Sequence, residues 1–227
     1  MPLTISGPGP VNGTLSPGVP LADLVMAIPS LVGAWTAEDL PASGLVQSWT
    51  ARHGGGVLTQ PNVTRQPSVG AQGGVKTLIC GPATPLYGPK AGWTDGSPGS
   101  VGIRAYWPEP LTDLQYLLAF GAAYRVVWRS AGYLRVDAAA DINLTVPGTG
   151  WTDFILRQSA TTTTAEAFGV TGAAANTGIA GTQFVLGAGT ATATANGFRG
   201  QISRVILAAS DVGDASHLAA VRAWLAS

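Results

Sequence analysis

Short runs that alternate apolar and polar residues, each ended by glycine or proline, constrain this chain more than any other feature. In Ser100 to Glu109, Val101, Ile103, Ala105 and Trp107 share one parity while Arg104 and Tyr106 take the other. A period of two marks a strand with one face on a core, whereas a helix needs apolar residues three and four apart. Tyr124, Val126 and Trp128 alternate with Arg125, Val127 and Arg129, and Ile142, Leu144 and Val146 alternate with Asn143 and Thr145. In Trp151 to Gln158 the pattern places Phe154 and Leu156 inside. Leu31 to Ala37, Gly44 to Trp49, Val75 to Cys80, Leu114 to Gly121, Tyr133 to Asp137, Ala165 to Val170 and Gln183 to Leu186 are further predicted strands. Gln201 to Ala209 has Ile202 and Ile206 on one side and Val205 and Leu207 on the other, which predicts a central strand covered on both faces. The 31 glycines and 16 prolines supply turns between the runs. Gly54 to Gly74 and Gly81 to Gly99 read as loops, and Thr161 to Thr164 as a loop tip. About a dozen short strands separated by turn signals predict an all-β sandwich. No repeat of roughly 20–50 residues is evident, which argues against a propeller or solenoid.

The two ends depart from the strand pattern. Met1 to Pro20 holds Gly7-Pro8-Gly9-Pro10 and Ser16-Pro17-Gly18, which neither propagate a helix nor sit in a central strand. Residues 1–29 therefore read as an extended arm. Leu21, Leu24, Val25 and Ile28 are spaced for one or two helical turns before Pro29. Residues 30–227 read as the sandwich, closed by a helix. Asp214 is its predicted N-cap, Leu218, Val221 and Leu225 form one stripe, and Trp224 lies beside them. That helix is expected on an edge or outer face of the sheet.

Charged residues are 11% of the chain, and 12 Lys and Arg balance 12 Asp and Glu. A nucleic-acid partner calls for a basic excess against phosphates, and an anionic membrane surface for a basic cluster. Neither is present, so both partners are set aside. A surface so poor in charge and without net charge is weakly defended against association, which points to an assembly, homo- or hetero-oligomeric. No apolar run has the length of a membrane-spanning helix. The first twenty residues lack the basic and apolar regions of a secretory signal, so synthesis in a cytoplasm is expected, and the sequons at Asn12, Asn62 and Asn143 read as accidental. Cys80 is the one cysteine and reads as a small buried hydrophobe.

Two segments carry a resemblance. The first is Val32-Gly-Ala-Trp35-Thr-Ala-Glu-Asp-Leu40, with Gly44-Leu-Val-Gln-Ser-Trp49, Arg52-His-Gly-Gly-Gly56-Val-Leu-Thr-Gln60 and Arg65-Gln66-Pro67. The second is Gly197-Phe-Arg-Gly200-Gln-Ile-Ser-Arg-Val-Ile-Leu207, followed by Asp214 and Ala220-Val-Arg-Ala-Trp-Leu-Ala226. Together they resemble the opening and close of concanavalin A-like (laminin-G-like) jelly rolls, including those of phage and phage-like virion proteins. The resemblance implies an antiparallel jelly-roll β-sandwich. The chain departs from the pattern at Thr50-Ala-Arg52-His53, where the family's aspartate is missing, and near Arg204, where an acid is usual.

The chemistry of bond cleavage is thinly represented. Glycosidases of this fold use two carboxylates flanking the scissile bond. The three glutamates, Glu38, Glu109 and Glu166, sit in no such motif, and Asp137 and Asp141 merely straddle a turn. His53 and His217 lack the partners of a nucleophilic triad, and no phosphate-binding loop occurs. No catalytic residue and no metal ligand is assigned, and no cofactor is expected; Asp95, Ser97, Asp137 and Asp141 are the only hints of calcium. Sugar recognition needs less: an aromatic face with planar hydrogen-bonding groups beside it. Tyr87, Trp93 and Asp95 in the proline-rich loop, with Arg104 and Tyr106 on the non-core side of their strand, are the candidate ligand-binding residues. The sequence thus predicts a non-catalytic carbohydrate-binding or adhesion module on the surface of a phage or phage-like particle, made in the bacterial cytoplasm. Its expected partners are a cell-surface glycan and, through the arm, other virion subunits. A purely structural virion protein is the alternative.

Overall fold

Strands that bury alternate side chains must find a second apolar face, and two sheets supply it to each other. In the computed structural model, residues 18–89, 97–108, 114–120, 125–129, 133–137, 141–145, 149–175 and 183–227 are described; for 125–129 and 137 this covers the backbone only. The strands are β1 (Leu31–Thr36), β2 (Ser48–Thr50), β3 (Val57–Thr59), β4 (Ser68–Gln72), β5 (Val75–Ile79), β6 (Leu86–Pro89), β7 (Gly99–Trp107) and β8 (Gln115–Ala119). They continue with β9 (Arg125–Arg129), β10 (Tyr133–Asp137), β11 (Ile142–Thr145), β12 (Gly150–Gln158), β13 (Thr162–Ala167), β14 (Val170–Ala175), β15 (Gln183–Leu186) and β16 (Gln201–Ala208). One sheet runs β14-β13-β12-β7-β16-β5-β4, with β1 also on β16; the other runs β11-β10-β9-β8-β15-β6-β3-β2. The named strands pair antiparallel throughout, as in β12 against β7 and β15 against β6. The chain is thus the all-β sandwich that the alternation predicts.

The core lies between the sheets. Val101, Ile103, Ala105 and Trp107 of β7 and Phe154 and Leu156 of β12 meet Leu58, Leu118, Leu134, Phe184 and Leu186 of the opposite sheet. Trp107 and Phe198 meet edge to face, with ring centroids 4.5 Å apart. Trp35 and Trp49 are buried and lock each other. The Trp35 Nε1–H donates to the Trp49 carbonyl at 2.9 Å, and the Trp49 Nε1–H donates to the Thr36 carbonyl at 3.1 Å. Cys80 is buried, and burial pushes its thiol up to about 12.

β16 occupies the central position foreseen for it. Its first residues pair with β5, its later ones with β1, and its other side with β7. Its outward residues Ile206 and Ala208 are covered by α2 (Ala215–Ala226), whose Val221, Trp224 and Leu225 are buried there. The cover extends to α1 (Leu21–Met26), whose Val25 joins the same cluster beside Ile28. The Trp224 Nε1–H donates to the Val205 carbonyl at 3.2 Å, and Arg222 pairs with Glu166 at 2.7 Å.

The structure departs from the sequence reading where turn residues are dense. Gly54 to Gly74 contains β3 and β4, Gly81 to Gly99 contains β6, and Thr161 to Thr164 runs into β13. β3, β4 and β6 are held by neighbouring strands, where cross-strand pairing outweighs the poor local propensity of Gly and Pro, while the β-branched Thr162 to Thr164 suit a strand outright. The predicted strand Gly44 to Trp49 is shorter and later, as β2. Residues 1–17 of the arm, Trp93 and Asp95 lie outside the described residues, as does the side chain of Trp128.

Asp214 caps α2 as predicted. Its carboxylate accepts from the Ser216 hydroxyl and from the amides of Ser216 and His217, which holds it below the usual carboxylate range. A group whose folded pKa is depressed contributes stability above its unfolded pKa, and that contribution is lost as pH falls through the folded value. Asp214→Ala is therefore expected to lower the melting temperature at neutral pH, and the gap from the parent should narrow as a series of melts is taken into the acid range.

Candidate functional site

The even-numbered residues of β7 and the odd-numbered residues of β12 point away from the core, and antiparallel pairing brings them side by side. Tyr106 stands opposite Trp151, and Arg104 opposite Asp153. All four are half-buried. The Tyr106 and Trp151 rings lie 5.5 Å apart, centroid to centroid, at 63°. The Arg104 Cζ sits 5.3 Å from the Trp151 ring centroid, and its Nη1 donates to the Asp153 carboxylate at 3.0 and 3.3 Å. A guanidinium held over an indole by a carboxylate is fixed by two independent attractions. Burial raises the Asp153 pKa; the charge and hydrogen bond of Arg104 oppose this, and the charge of Glu166 adds to it.

The same face continues across β16. Arg204 lies opposite Arg104, and Gln201 opposite Tyr106. Like charges directly across a ladder repel. Arg204 accommodates this by donating to the Thr36 hydroxyl and to the Ser227 main-chain oxygen, both at 2.6 Å, with its Cζ 5.2 Å from the Trp224 ring centroid. Burial lowers the Arg204 pKa, and the charges of Arg52 and Arg104 act in the same direction. Gln201 is fixed by its neighbours: its Oε1 accepts from the Thr77 hydroxyl at 2.6 Å and its Nε2 donates to the Gln72 Oε1 at 3.3 Å. This surface therefore offers aromatic rings beside oriented amides and an ion pair.

Of the sequence-derived candidates, Arg104 and Tyr106 are neighbours on this face. Tyr87 is not with them. It lies on β6 in the opposite sheet, packed with Ala119, Val185 and Ala188 on that sheet's outer side. β6 and β7 belong to different sheets, so Tyr87 and the Arg104–Tyr106 pair stand on different sides of the sandwich. Trp151 and Asp153 were not singled out from the sequence. The parity that puts Phe154 and Leu156 inside also turns Trp151 and Asp153 outward, so their orientation was legible; their pairing with β7 was not. Among the described residues, no group of three or more His, Cys, Asp or Glu side chains is placed to hold a metal ion. Asp141 instead pairs with Arg135 at 3.0 Å.

No protein-family model matches the chain, and no curated protein matches it by sequence. Its fold is similar to solved structures of carbohydrate-active proteins. A Trypanosoma rangeli sialidase in complex with a difluorinated KDN superposes with a TM-score of 0.63 at 12% identity, over 91% of this chain and 37% of the sialidase chain. This chain thus spans little more than a third of the sialidase. Domain 4 of AbnA, a GH43 extracellular arabinanase from Geobacillus stearothermophilus, was solved in complex with arabinotriose. It superposes with a TM-score of 0.58 at 13% identity, over 86% of this chain and 98% of that domain. A GH54 α-L-arabinofuranosidase gives 0.56 at 11% identity, over 88% of this chain and 60% of the other. These likenesses correct the reading of the chain as non-catalytic. That reading rested on missing motifs, yet the sandwich is one that glycosidase chains contain, so the absence of those motifs excludes nothing. At such identity the fold is what the likeness establishes.

Proposed function

We propose that this chain is a carbohydrate-recognising module of a carbohydrate-active protein, and that it holds sugar on the face of Tyr106, Trp151, Arg104 and Asp153. The observation that carries the proposal is the juxtaposition of two half-exposed aromatic rings with a carboxylate–guanidinium pair on one sheet face. Sugar rings present an apolar face and a rim of hydroxyls. Aromatic rings take the first, and planar charged groups take the second with directional hydrogen bonds. The arabinanase domain of similar fold bound to arabinotriose supports the same reading. The wider setting belongs to the proposal too: a concanavalin A-like surface component of a phage or phage-like particle, with the arm engaging other subunits. The low charge and zero net charge support it.

The test is calorimetric titration with arabinotriose and with a panel of bacterial surface polysaccharides. Binding is expected for at least one, and Trp151→Ala should weaken it about tenfold, the size of one lost aromatic stack, with the circular dichroism unchanged. Equal binding by Trp151→Ala and the parent would overturn the site.

A second reading rests on Asp153. Burial and the neighbouring charge of Glu166 raise its pKa, against the charge and hydrogen bond of Arg104, and an upward shift is the direction that suits a general acid in glycoside cleavage. Arg104 and Arg222 neutralise the two acids in the free chain, so a sugar must displace an arginine before either acts. Release of reducing ends by the parent, abolished in Asp153→Asn while binding persists, would establish this reading; no release from any bound polysaccharide would remove it.

A further inference from the structure

Strand register extends the aromatic pair into a line. Ser68 on β4 is opposite Ile79 on β5, Ile79 is opposite Gln201 on β16, Gln201 is opposite Tyr106 on β7, and Tyr106 is opposite Trp151 on β12. Five side chains on five adjacent strands thus form one transverse row on one face. We propose that this row binds a linear glycan lengthwise, across the strands, with contacts to three or more consecutive sugar units. The inference rests on the carbohydrate reading above and specifies the ligand: an extended chain rather than a single terminal sugar.

The dimensions support it. Four inter-strand steps of about 4.8 Å make a row of roughly 19 Å. That exceeds any single sugar ring, and successive rings along an extended chain advance by a distance close to one inter-strand step. The chemistry of the row also fits. It bears no charged side chain, and its halves differ: two aromatic rings at β12 and β7, and a low apolar ledge at β5 beside the terminal Ser68 of β4. Ile79 is 40% exposed and leans over Gly70 of β4, where a Cβ would come within 2.8 Å of the Ile79 Cγ1. Between the two lies the amide of Gln201, held by Thr77 and Gln72. A polar group already fixed by its neighbours loses little freedom when it takes up a ligand hydroxyl. The charged pair of Arg104 and Asp153 lies one row further along the strands, beside the line and not in it. The opposite end of the face is closed by α2, whose Val221 and Leu225 lie over Gly102. Among the described residues, α2 thus bars an extended ligand from lying along the strands past Gly102 and directs it across them.

The experiment is titration of the full chain with three ladders of linear oligosaccharides, α-1,5-arabino-, β-1,4-xylo- and β-1,4-gluco-, each from one sugar unit to six. In a ladder that binds, affinity should rise with each unit through the first three or four and then level. Gln201→Ala and Ile79→Ser should each weaken the longest ligand about tenfold and leave the shortest ligand that binds unchanged, whereas Trp151→Ala should weaken all lengths. If one or two sugars bind as tightly as six, and the two variants have no effect, the carbohydrate reading stands and the extended track fails. If no ladder binds while a surface polysaccharide does, the extended track fails alone; if neither ladders nor polysaccharides bind, both fail.

Discussion

Gly33→Ala should unfold this protein more readily than any other single-methyl change in its first sheet, lowering stability by roughly 3 kcal/mol or more. A Cβ at Gly33 would lie 2.7 and 2.8 Å from the Cζ2 and Cζ3 atoms of Trp35, with Cη2 closer still. The ring cannot retreat. Trp35 is buried, its Nε1–H is committed to the Trp49 carbonyl, and Trp49 is committed in turn to Thr36. Gly56 also crowds the same indole, where a Cβ would meet Cζ2 at 2.7 Å and Cη2 at 3.0 Å. Overpacking costs about 1–3 kcal/mol. Pulling a buried indole N–H off its acceptor adds about 1–3 kcal/mol. For a chain of this size that corresponds to a fall in melting temperature of roughly 6–12 °C. Gly81→Ala is the control, since its Cβ would meet Thr84 at 3.6 and 3.7 Å, ordinary contact distances. Thermal melts of the two variants decide the matter: equal melting temperatures would show that the indole tolerates displacement.

Gly102→Val should detach the C-terminal helix without dismantling the sandwich. Gly102 is on β7, and its outward side is where α2 comes down on the sheet. A Cβ there would meet Ile206 Cγ2 at 2.9 Å and Leu225 Cδ1 and Val221 Cγ1 at 3.1 Å each. Valine adds two more methyl groups to that contact. The opposite face of β7 is unaffected, because Val101, Ile103 and Ala105 belong to the core between the sheets. The expected cost is about 1–3 kcal/mol, concentrated at the helix. Arg222 is paired with Glu166 and sits within α2, so trypsin should cleave after Arg222 in the variant far faster than in the parent. Mass spectrometry of a digestion time course reads this directly. The strand signal in circular dichroism should persist. Parent-like resistance at Arg222 would mean that the helix rides over the larger side chain.

The same two faces of β7 explain what could be read without coordinates. Alternation assigned Val101, Ile103 and Trp107 to the core and Arg104 and Tyr106 to the outside, and it made β16 a covered central strand. The period change after Asp214 marked α2 and its buried stripe. These are local properties, written in consecutive residues. The strands hidden in glycine- and proline-rich stretches, β3, β4 and β6, were not legible: β6 is held by β15, remote in sequence, while β3 and β4 pair with near neighbours but lie among turn residues that interrupt the alternation. The functional reading shows the same division. Arg104 and Tyr106 were found from their parity; Trp151 and Asp153 carried the same signal but no indication of whom they would meet.

The sequence by itself determined the class of fold, the side of each strongly alternating strand that faces the core, and the closing helix with its cap, because the backbone's period of two or of 3.6 residues is imposed within a few positions. Only the tertiary structure decided that Trp151 stands beside Tyr106 and Asp153 beside Arg104, that Tyr87 belongs to the far sheet, and that Ser68, Ile79 and Gln201 fall into line with the two rings. Those outcomes depend on which strands become neighbours and in what register. Pairing is settled by the packing of the whole sandwich, and no short window of sequence contains it.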